Sequence, residues 1–195
     1  MTSTMTETGV CNMALDMLHE GPISSIDDDE PNARRFKRNF DALRDSFLAA
    51  HPWNFAVART SLPASAEAPF FGWDYKYLRP GDCLRVFPLR ENGSFGGATV
   101  AHEIEGEYIL TDVQPPLKLR YVRRVAQMGL WSPVAITAFA GFLAANLAHA
   151  ITGKASYAQF ASERFERELR RARRSDGMQG MQERADTNDV IAVRI

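Results

Sequence analysis

The sequence predicts an α+β protein with a helical lobe of about four helices, an inserted small antiparallel β lobe and an extended C-terminal tail. Two observations support this prediction. Apolar residues recur at helical spacing towards both ends of the chain, and a period of two replaces that spacing between residues 55 and 122. The 195 residues are 45% hydrophobic and 24% charged, which is typical of a globular protein. We therefore expect a discontinuous helical lobe at 1–54 and 123–177, a β lobe at 55–122, and a tail at 178–195.

Two helices are predicted before the β lobe. The first runs from about Thr6 to Leu18 and stops before Gly21-Pro22. The second follows the acidic run 27–30, whose carboxylates suit the positive end of a helix, and Pro31 suits its first turn. The second helix is expected to end before His51-Pro52, because a residue that precedes proline disfavours the α region.

The β lobe is predicted from short period-two runs separated by turn residues. Pro80-Gly81 predicts a turn that joins two strands into a hairpin spanning Trp73 to Phe87. Glu105-Gly106 predicts a second, tighter hairpin, and Pro115-Pro116 separates the last two strands. We expect one small antiparallel sheet with strands at Phe55–Thr60, Trp73–Leu78, Leu84–Leu89, Thr99–Ile104, Tyr108–Thr111 and Leu117–Val122.

The third helix is predicted from an uncharged segment, Trp131 to Gly153, with Ser132 as N-cap and Gly153 as the left-handed stop. Its length allows a membrane span. Half of the segment is Ala, Gly, Thr, Asn or His, and these residues weaken insertion, so we expect a buried core helix and no membrane partner. A stripe of small residues from Thr137 to Thr152 predicts close approach of another helix.

The fourth helix is predicted at about Ser156 to Arg174, with arginines in its last turn that suit the negative helix end. After Gly177 the helical period is lost. The final apolar residues alternate, which favours an extended tail able to add to a sheet edge; they are Ile191, Val193 and Ile195.

Charge and cysteine content limit the possible partners. Lys plus Arg is 23 and Asp plus Glu is 24, so any contact with nucleic acid must be local. Two cysteines predict no disulfide framework and a reducing compartment, and the first residues lack the pattern of a secretory signal.

Candidate phosphate contacts are Arg120, Arg123, Arg124, Arg170, Arg171, Arg173 and Arg174. A solvated face with internal ion pairs is the favoured alternative for them, and a single copy would bind DNA weakly.

The sequence predicts no catalytic, cofactor-binding or metal site. His102-Glu103 lacks the second histidine of a zinc-protease helix. The segment 152–156, "TGKAS", lacks the first glycine of a phosphate loop, and "NGSFGG" is followed by no helix. The acidic run 27–30 lacks the glycine and distal glutamate of a calcium loop. We expect a protein that is not an enzyme and carries no cofactor.

Several aromatic residues of the predicted β lobe are candidates for a subunit or tail interface, although each is more often found in a core. These candidates are Phe70, Phe71, Trp73 and Phe95, together with Ile191, Val193 and Ile195 of the tail.

The order of several short motifs resembles the tail tubular protein A family, the head-to-tail adaptors of short-tailed (podovirus) phages. The matching segments cover most of residues 11–177. They are "ALDMLHEGPISSIDDD", "RRFKRNFDALRDSFLAAHPWNFAVARTSLP", "YKYLRPGDCLRV", "YILTD", "LKLRYVRRV", and "FLAANLAHAIT" leading to "ERFERELRRARRSDG". The step "HPWNFA", from the second helix into the first strand, is the most distinctive of them.

The resemblance implies a structural virion protein that forms a ring, usually twelvefold, between the portal and the tail nozzle. Double-stranded DNA would pass through its channel, and the implied partners are other copies of the chain, the portal protein, the nozzle protein and tail fibres. The implied location is the head–tail junction of a virion assembled in the host cytoplasm. Two alternatives stay open: a nucleic-acid-binding module that acts as a free protein, and another neck or tail completion protein.

Overall fold

The computed structural model describes residues 5–93 and 97–179. Within them the chain forms four α-helices and two three-stranded antiparallel sheets, which confirms the predicted α+β fold. The structure divides into two compact units. The helical unit is drawn from Met1–Phe47, Trp53–Phe55 and Ala126–Ile195, and the β unit from Leu48–Pro52 and Ala56–Val125.

The first two helices are α1, Glu7–Met17, and α2, Pro31–Ala50. The side chain of Thr6 caps α1 by accepting a hydrogen bond from the backbone N–H of Gly9 at 3.1 Å. The predicted end of α2 before His51-Pro52 is confirmed. Before α2, Asp27 and Asp29 of the acidic run form ion pairs with Lys37 and Arg34 at 3.0 and 2.9 Å.

Helix α3, Pro133–Thr152, has the predicted caps. Ser132 accepts a hydrogen bond from the backbone N–H of Ala135, and Gly153 adopts a φ of 68°. The predicted close helix approach is also confirmed, because a Cβ placed on Gly141 would lie 3.3 Å from the Cα of Phe165 on the next helix. By length and composition alone α3 could cross a membrane, but 56% of its most apolar window is buried in the structure.

Helix α4, Ala155–Gln179, is longer than predicted. The predicted end near Arg174 is wrong, so the cluster Arg170–Arg174 does not form the last turn. Asp176 supplies the physical reason: its carboxylate accepts the backbone N–H of Asn54 at 3.0 Å, and its backbone oxygen accepts the side-chain amide of Asn54. These two bonds hold the final turn of α4. Of the predicted tail at 178–195, residues 180–195, including Ile191, Val193 and Ile195, lie outside the described residues.

An aromatic cluster fills the core of the helical unit around Phe47 of α2. The ring of Phe47 stacks on Trp53 and on Trp131, with centroids 5.0 and 5.8 Å apart, and contacts Phe139 of α3 at 5.3 Å. The indole N–H of Trp53 donates to the backbone oxygen of Phe47. Trp53, part of the "HPWNFA" segment, is therefore fully buried at the centre of this unit.

The β unit contains two sheets. The strand order is β1–β6–β3 in one and β2–β5–β4 in the other, and all pairs are antiparallel. The strands are β1 Val57–Leu62, β2 Tyr75–Leu78, β3 Cys83–Val86, β4 Glu103–Glu105, β5 Tyr108–Thr111 and β6 Leu117–Arg123.

The predicted single sheet and the predicted Trp73–Phe87 hairpin are both wrong. Pro80 does begin a turn, since its carbonyl accepts the backbone N–H of Cys83 at 2.9 Å. The strands on either side of this turn nevertheless enter different sheets, because β2 pairs with β5 and β3 pairs with β6. The tight hairpin at Glu105-Gly106 is confirmed and joins β4 to β5, with Gly106 at a φ of 55°.

One apolar core lies between the two sheets of the β unit. Leu117, Leu119 and Tyr121 alternate along β6, while Tyr77 and Ile109 come from the other sheet. Because side chains alternate along a strand, the residues between these core positions lie on the outer faces of the two sheets. Those two outer faces carry the features described next.

Candidate functional site

The outer face of the β1–β6–β3 sheet is basic. Lys118 and Arg120 alternate with the buried Leu117, Leu119 and Tyr121 along β6. We call this surface the basic face and define it, within the described residues, by Arg59, Arg85, Lys118 and Arg120.

The strand register brings the cations of the basic face together. Arg59 of β1 lies directly opposite Arg120 of β6, and Arg85 of β3 lies opposite Val122 on the same face. Side chains directly opposite each other in an antiparallel pair have Cβ atoms about 5 Å apart. Two like charges directly opposite each other contribute unfavourably to the pairing of the two strands.

An aromatic ring supports two of these cations. The guanidinium carbon of Arg120 lies 5.2 Å from the centroid of the Phe87 ring, and that of Arg85 lies 5.7 Å from the same centroid. Cation–π contact at this range offsets part of the repulsion between the two guanidinium groups. Contact with the Phe87 ring thus orients the guanidinium groups of Arg85 and Arg120 on this face of the sheet.

A cavity of about 370 Å³ opens on the basic face and is lined by Arg59, Lys118, Arg120 and the turn glycine Gly93. Gly93 has a φ of 68°, and a Cβ added there would lie 2.9 Å from the Cβ of Lys118. A glycine is therefore required for the turn to lie this close to Lys118. The cavity is open to solvent, and three of its lining side chains are cations. This arrangement suits a phosphate group or a carboxylate.

The predicted arginines of the β unit do not all share this face. Arg120 belongs to it. Arg123 is half-buried and has the parity of Tyr121, so alternation places it on the opposite side of β6. Arg124 is exposed after the strand end, and its backbone N–H donates to the carbonyl of Asp82 at 2.7 Å.

The predicted arginines of the helical unit are exposed on α4. Arg170, Arg171, Arg173 and Arg174 all face solvent, and Arg170 is 3.6 Å from Glu166 in a pair one helical turn apart. Such exposed pairs contribute little to stability. The predicted alternative, a solvated face with internal ion pairs, describes Arg170 well.

Sequence reasoning missed Arg59, Arg85 and Lys118. Their period-two positions in β1, β3 and β6 are visible in the sequence, so each could be placed on one face of its own strand. Pairing of β1 with β6 across about sixty residues is what joins them, and no local pattern specifies that pairing.

The outer face of the β2–β5–β4 sheet is covered in part by the segment 68–73, which we call the aromatic loop. Phe70 and Phe71 of this loop are 104% and 88% exposed. Trp73 is half-buried, and its indole N–H donates to a carboxylate oxygen of Glu103 at 3.3 Å. The fourth predicted interface aromatic, Phe95, lies outside the described residues.

A groove of about 360 Å³ separates the aromatic loop from the outer face of β4 and β5. We call it the acidic groove. Its floor is Leu110, Tyr108 and Lys76, whose ammonium lies 5.2 Å from the Tyr108 ring centroid. Glu103 and Glu105 of β4 line one side. The groove therefore has two largely apolar side chains and one lysine ammonium at its base, and it is negative along one rim.

Strand β4 forms an edge of its sheet among the described residues, and its three residues are all exposed. Ile104 lies opposite Ile109 of β5, on the core side, yet is 46% exposed. Glu103 and Glu105 lie on the groove side. An exposed edge with an uncovered isoleucine is a surface on which another strand can pair.

Asp82 and Asp112 of the β unit have structural roles. Asp82 accepts the hydroxyl of Tyr121 at 3.1 Å, and Asp112 accepts the backbone N–H of Asp74 at 3.0 Å. Burial, with Asp82 nearby, raises the pKa of the Tyr121 hydroxyl. In residues 5–93 and 97–179, no three His, Cys, Asp or Glu side chains come together as a metal site.

No protein-family model matches this chain, and a search of curated proteins finds no significant match.

Proposed function

We propose that this chain is a head-to-tail adaptor of a short-tailed phage, similar to the tail tubular protein A family. In this proposal it is a structural protein without catalysis or cofactor. Copies assemble into a ring, expected to be twelvefold, between the portal and the tail nozzle at the head–tail junction. DNA passes through the channel of that ring, and the partners are those implied by the resemblance in motif order.

The observation that carries the proposal is the basic face. One copy offers four cations on this sheet, which neutralise few phosphates and give weak, salt-sensitive binding. If copies of the chain were arranged around a ring axis, the same four side chains of each copy would together line the channel with positive charge. Such a lining has no need to recognise sequence, as is appropriate for a channel through which a whole genome passes.

The aromatic loop supports the assembly part of the proposal. Two consecutive phenylalanines that are almost fully exposed leave a large apolar area in water. Aromatic residues are enriched among the anchors of protein interfaces. We assign Phe70 and Phe71 to a contact with a neighbouring copy or with the next tail component.

Ring formation is tested by native mass spectrometry and electron microscopy of the purified chain, alone and mixed with portal protein. We expect a ring in the presence of portal. A chain that stays monomeric and ignores portal would overturn the proposal. The double variant Phe70→Ser/Phe71→Ser should lower ring yield, whereas Phe160→Ser, which replaces a half-exposed phenylalanine of α4, should leave it unchanged.

The basic face is tested by measuring the affinity of the ring and of the monomer for a short DNA duplex at several salt concentrations. The double variant Arg59→Gln/Lys118→Gln should form rings normally but bind DNA more weakly. Each phosphate contact that is lost should reduce the salt slope by about 0.9. The matched control is Lys37→Gln/Arg38→Gln, which removes two exposed cations from α2. Equal loss in both double variants would refute the assignment of DNA contact to this face.

The same titration discriminates the alternative of a free nucleic-acid-binding module, which the basic face also favours. That alternative predicts tight binding by the monomer with a steep salt slope. The adaptor predicts weak binding by the monomer and strong binding only by the ring.

A further inference from the structure

We propose that the C-terminal residues 191–195 of this chain bind to the exposed edge of the β2–β5–β4 sheet as an additional strand beside β4. The occupant is a segment of this same protein, and the proposal does not depend on the adaptor function. Three features of the β unit and the sequence of the segment support it.

The first feature is the alternation of β4. Its three residues are Glu103, Ile104 and Glu105, with the two carboxylates on the groove side and the isoleucine on the core side. A strand added to this edge would place its own side chains alternately on the same two sides. The best partner therefore has a cation between two apolar residues.

The second feature is that the end of the chain has this alternation. The last five residues are Ile-Ala-Val-Arg-Ile, so Val193 and Ile195 share one side of an extended strand and Arg194 lies on the other. When Arg194 faces Glu103 and Glu105, the two apolar residues necessarily face Ile104. Opposite charges and apolar pairs on neighbouring strands both stabilise a sheet.

The third feature is the exposed surface that the segment would cover. Ile104 is 46% exposed although it lies on the core side of its strand. The acidic groove beside it has a volume of about 360 Å³, enough for the stem of an arginine side chain, and Lys76 in its floor is already paired with Glu67 at 3.4 Å. One added strand would cover the isoleucine and fill part of the groove.

The length of chain between α4 and the proposed strand sets how far the segment can reach. Eleven residues separate Gln179, where α4 ends, from Ile191, where the proposed strand begins. A fully extended stretch of that length spans at most about 40 Å. The identity of the cross-linked species distinguishes a segment of the same copy from a segment of another copy.

Disulfide trapping in the full-length chain tests the proposal. The variant Ile104→Cys/Val193→Cys places both thiols on the core side of the sheet. The matched control, Ile104→Cys/Ala192→Cys, moves one thiol to the other side of the added strand. Mild oxidation should give a 104–193 disulfide, identified by peptide mass spectrometry, in about fivefold higher yield than the 104–192 disulfide. A cross-link within one chain indicates the same copy, and a cross-link between isotope-labelled and unlabelled chains indicates another copy; either supports the proposal.

A charge reversal provides the second measurement. Adding Arg194→Glu to the Ile104→Cys/Val193→Cys variant should reduce the trapped fraction, and adding Glu105→Arg as well should restore it. Circular dichroism of each variant confirms that the fold is retained. Equal trapping of positions 192 and 193, no trapping at either, or a yield unaffected by the reversal would overturn the proposal. Because trapping is measured without portal or DNA, its failure would leave the adaptor function standing, and failure of ring assembly would leave this binding standing.

Discussion

Replacement of Phe47 by alanine should remove a large part of the stability of the helical unit. The Phe47 side chain is 3% exposed and lies between two tryptophans and a phenylalanine, with ring centroids 5.0 to 5.8 Å away. Truncating a buried phenylalanine costs about 3–5 kcal/mol, because the transfer free energy is lost and a cavity remains. Loss of the aromatic pairs favours the upper half of this range.

Urea unfolding followed by tryptophan fluorescence and by circular dichroism measures this effect. Trp53 and Trp131 stack against Phe47, so their emission reports the environment of the substituted ring. With a urea dependence of about 2 kcal/mol per molar, a loss of about 4 kcal/mol lowers the midpoint by about 2 M. Phe47→Leu should give an intermediate shift, because it retains part of the buried volume.

Phe160→Ala is the matched control, since the same side chain is removed from a position that is 45% exposed. Its cost should stay below about 1 kcal/mol. If Phe47→Ala cost less than about 1 kcal/mol, or no more than Phe160→Ala, the aromatic cluster would not be the core of this unit and the reasoning would be wrong.

Three further changes test other parts of the structure. Gly93→Ala should destabilise the β unit by about 1–3 kcal/mol, measured by thermal unfolding, because the φ is positive and the new Cβ would meet the Cβ of Lys118 at 2.9 Å. Burial raises the pKa of the Cys11 thiol to about 12. The folded state therefore keeps its proton where the unfolded state loses it, so the free energy of unfolding should fall as pH rises from about 9 to about 12, and Cys11→Ala should flatten that slope in urea titrations at several pH values. Asp176→Ala should cost about 1–3 kcal/mol and speed hydrogen exchange in the last turn of α4, whereas Asp176→Asn keeps an acceptor for Asn54 and should cost less.

The helices could be predicted closely because their signals are local. Ser132, Pro133 and Gly153 set the bounds of α3 within a few bonds of their own positions, and each acts as expected. The one large error, the end of α4, arises from Asp176 and its bonds to Asn54, which lies 122 residues away in the sequence. A contact between residues so far apart in the sequence produces no local periodic pattern from which it could be predicted.

The strands show the same division between local and distant information. Most strand positions could be predicted from alternation, and the turns at Pro80 and Gly106 form as expected. The strand with which each of them pairs could not be predicted from alternation. A proline–glycine turn favours a reversal of the chain but does not decide whether the following strand pairs with the preceding one. Here β3 pairs with β6, about forty residues further on, because Leu119 and Tyr121 of β6 fill the core between the sheets.

The basic face depends entirely on such a distant pairing, and this explains why only Arg120 could be found from the sequence. Arg59 and Arg120 are placed opposite each other by the β1–β6 register, at a spacing where like charges are unfavourable. A threonine or valine at either position would suit an exposed strand better for folding alone. Strand propensity therefore does not explain why two arginines occupy these positions, and the β1–β6 register, which no local pattern specifies, is what brings them together.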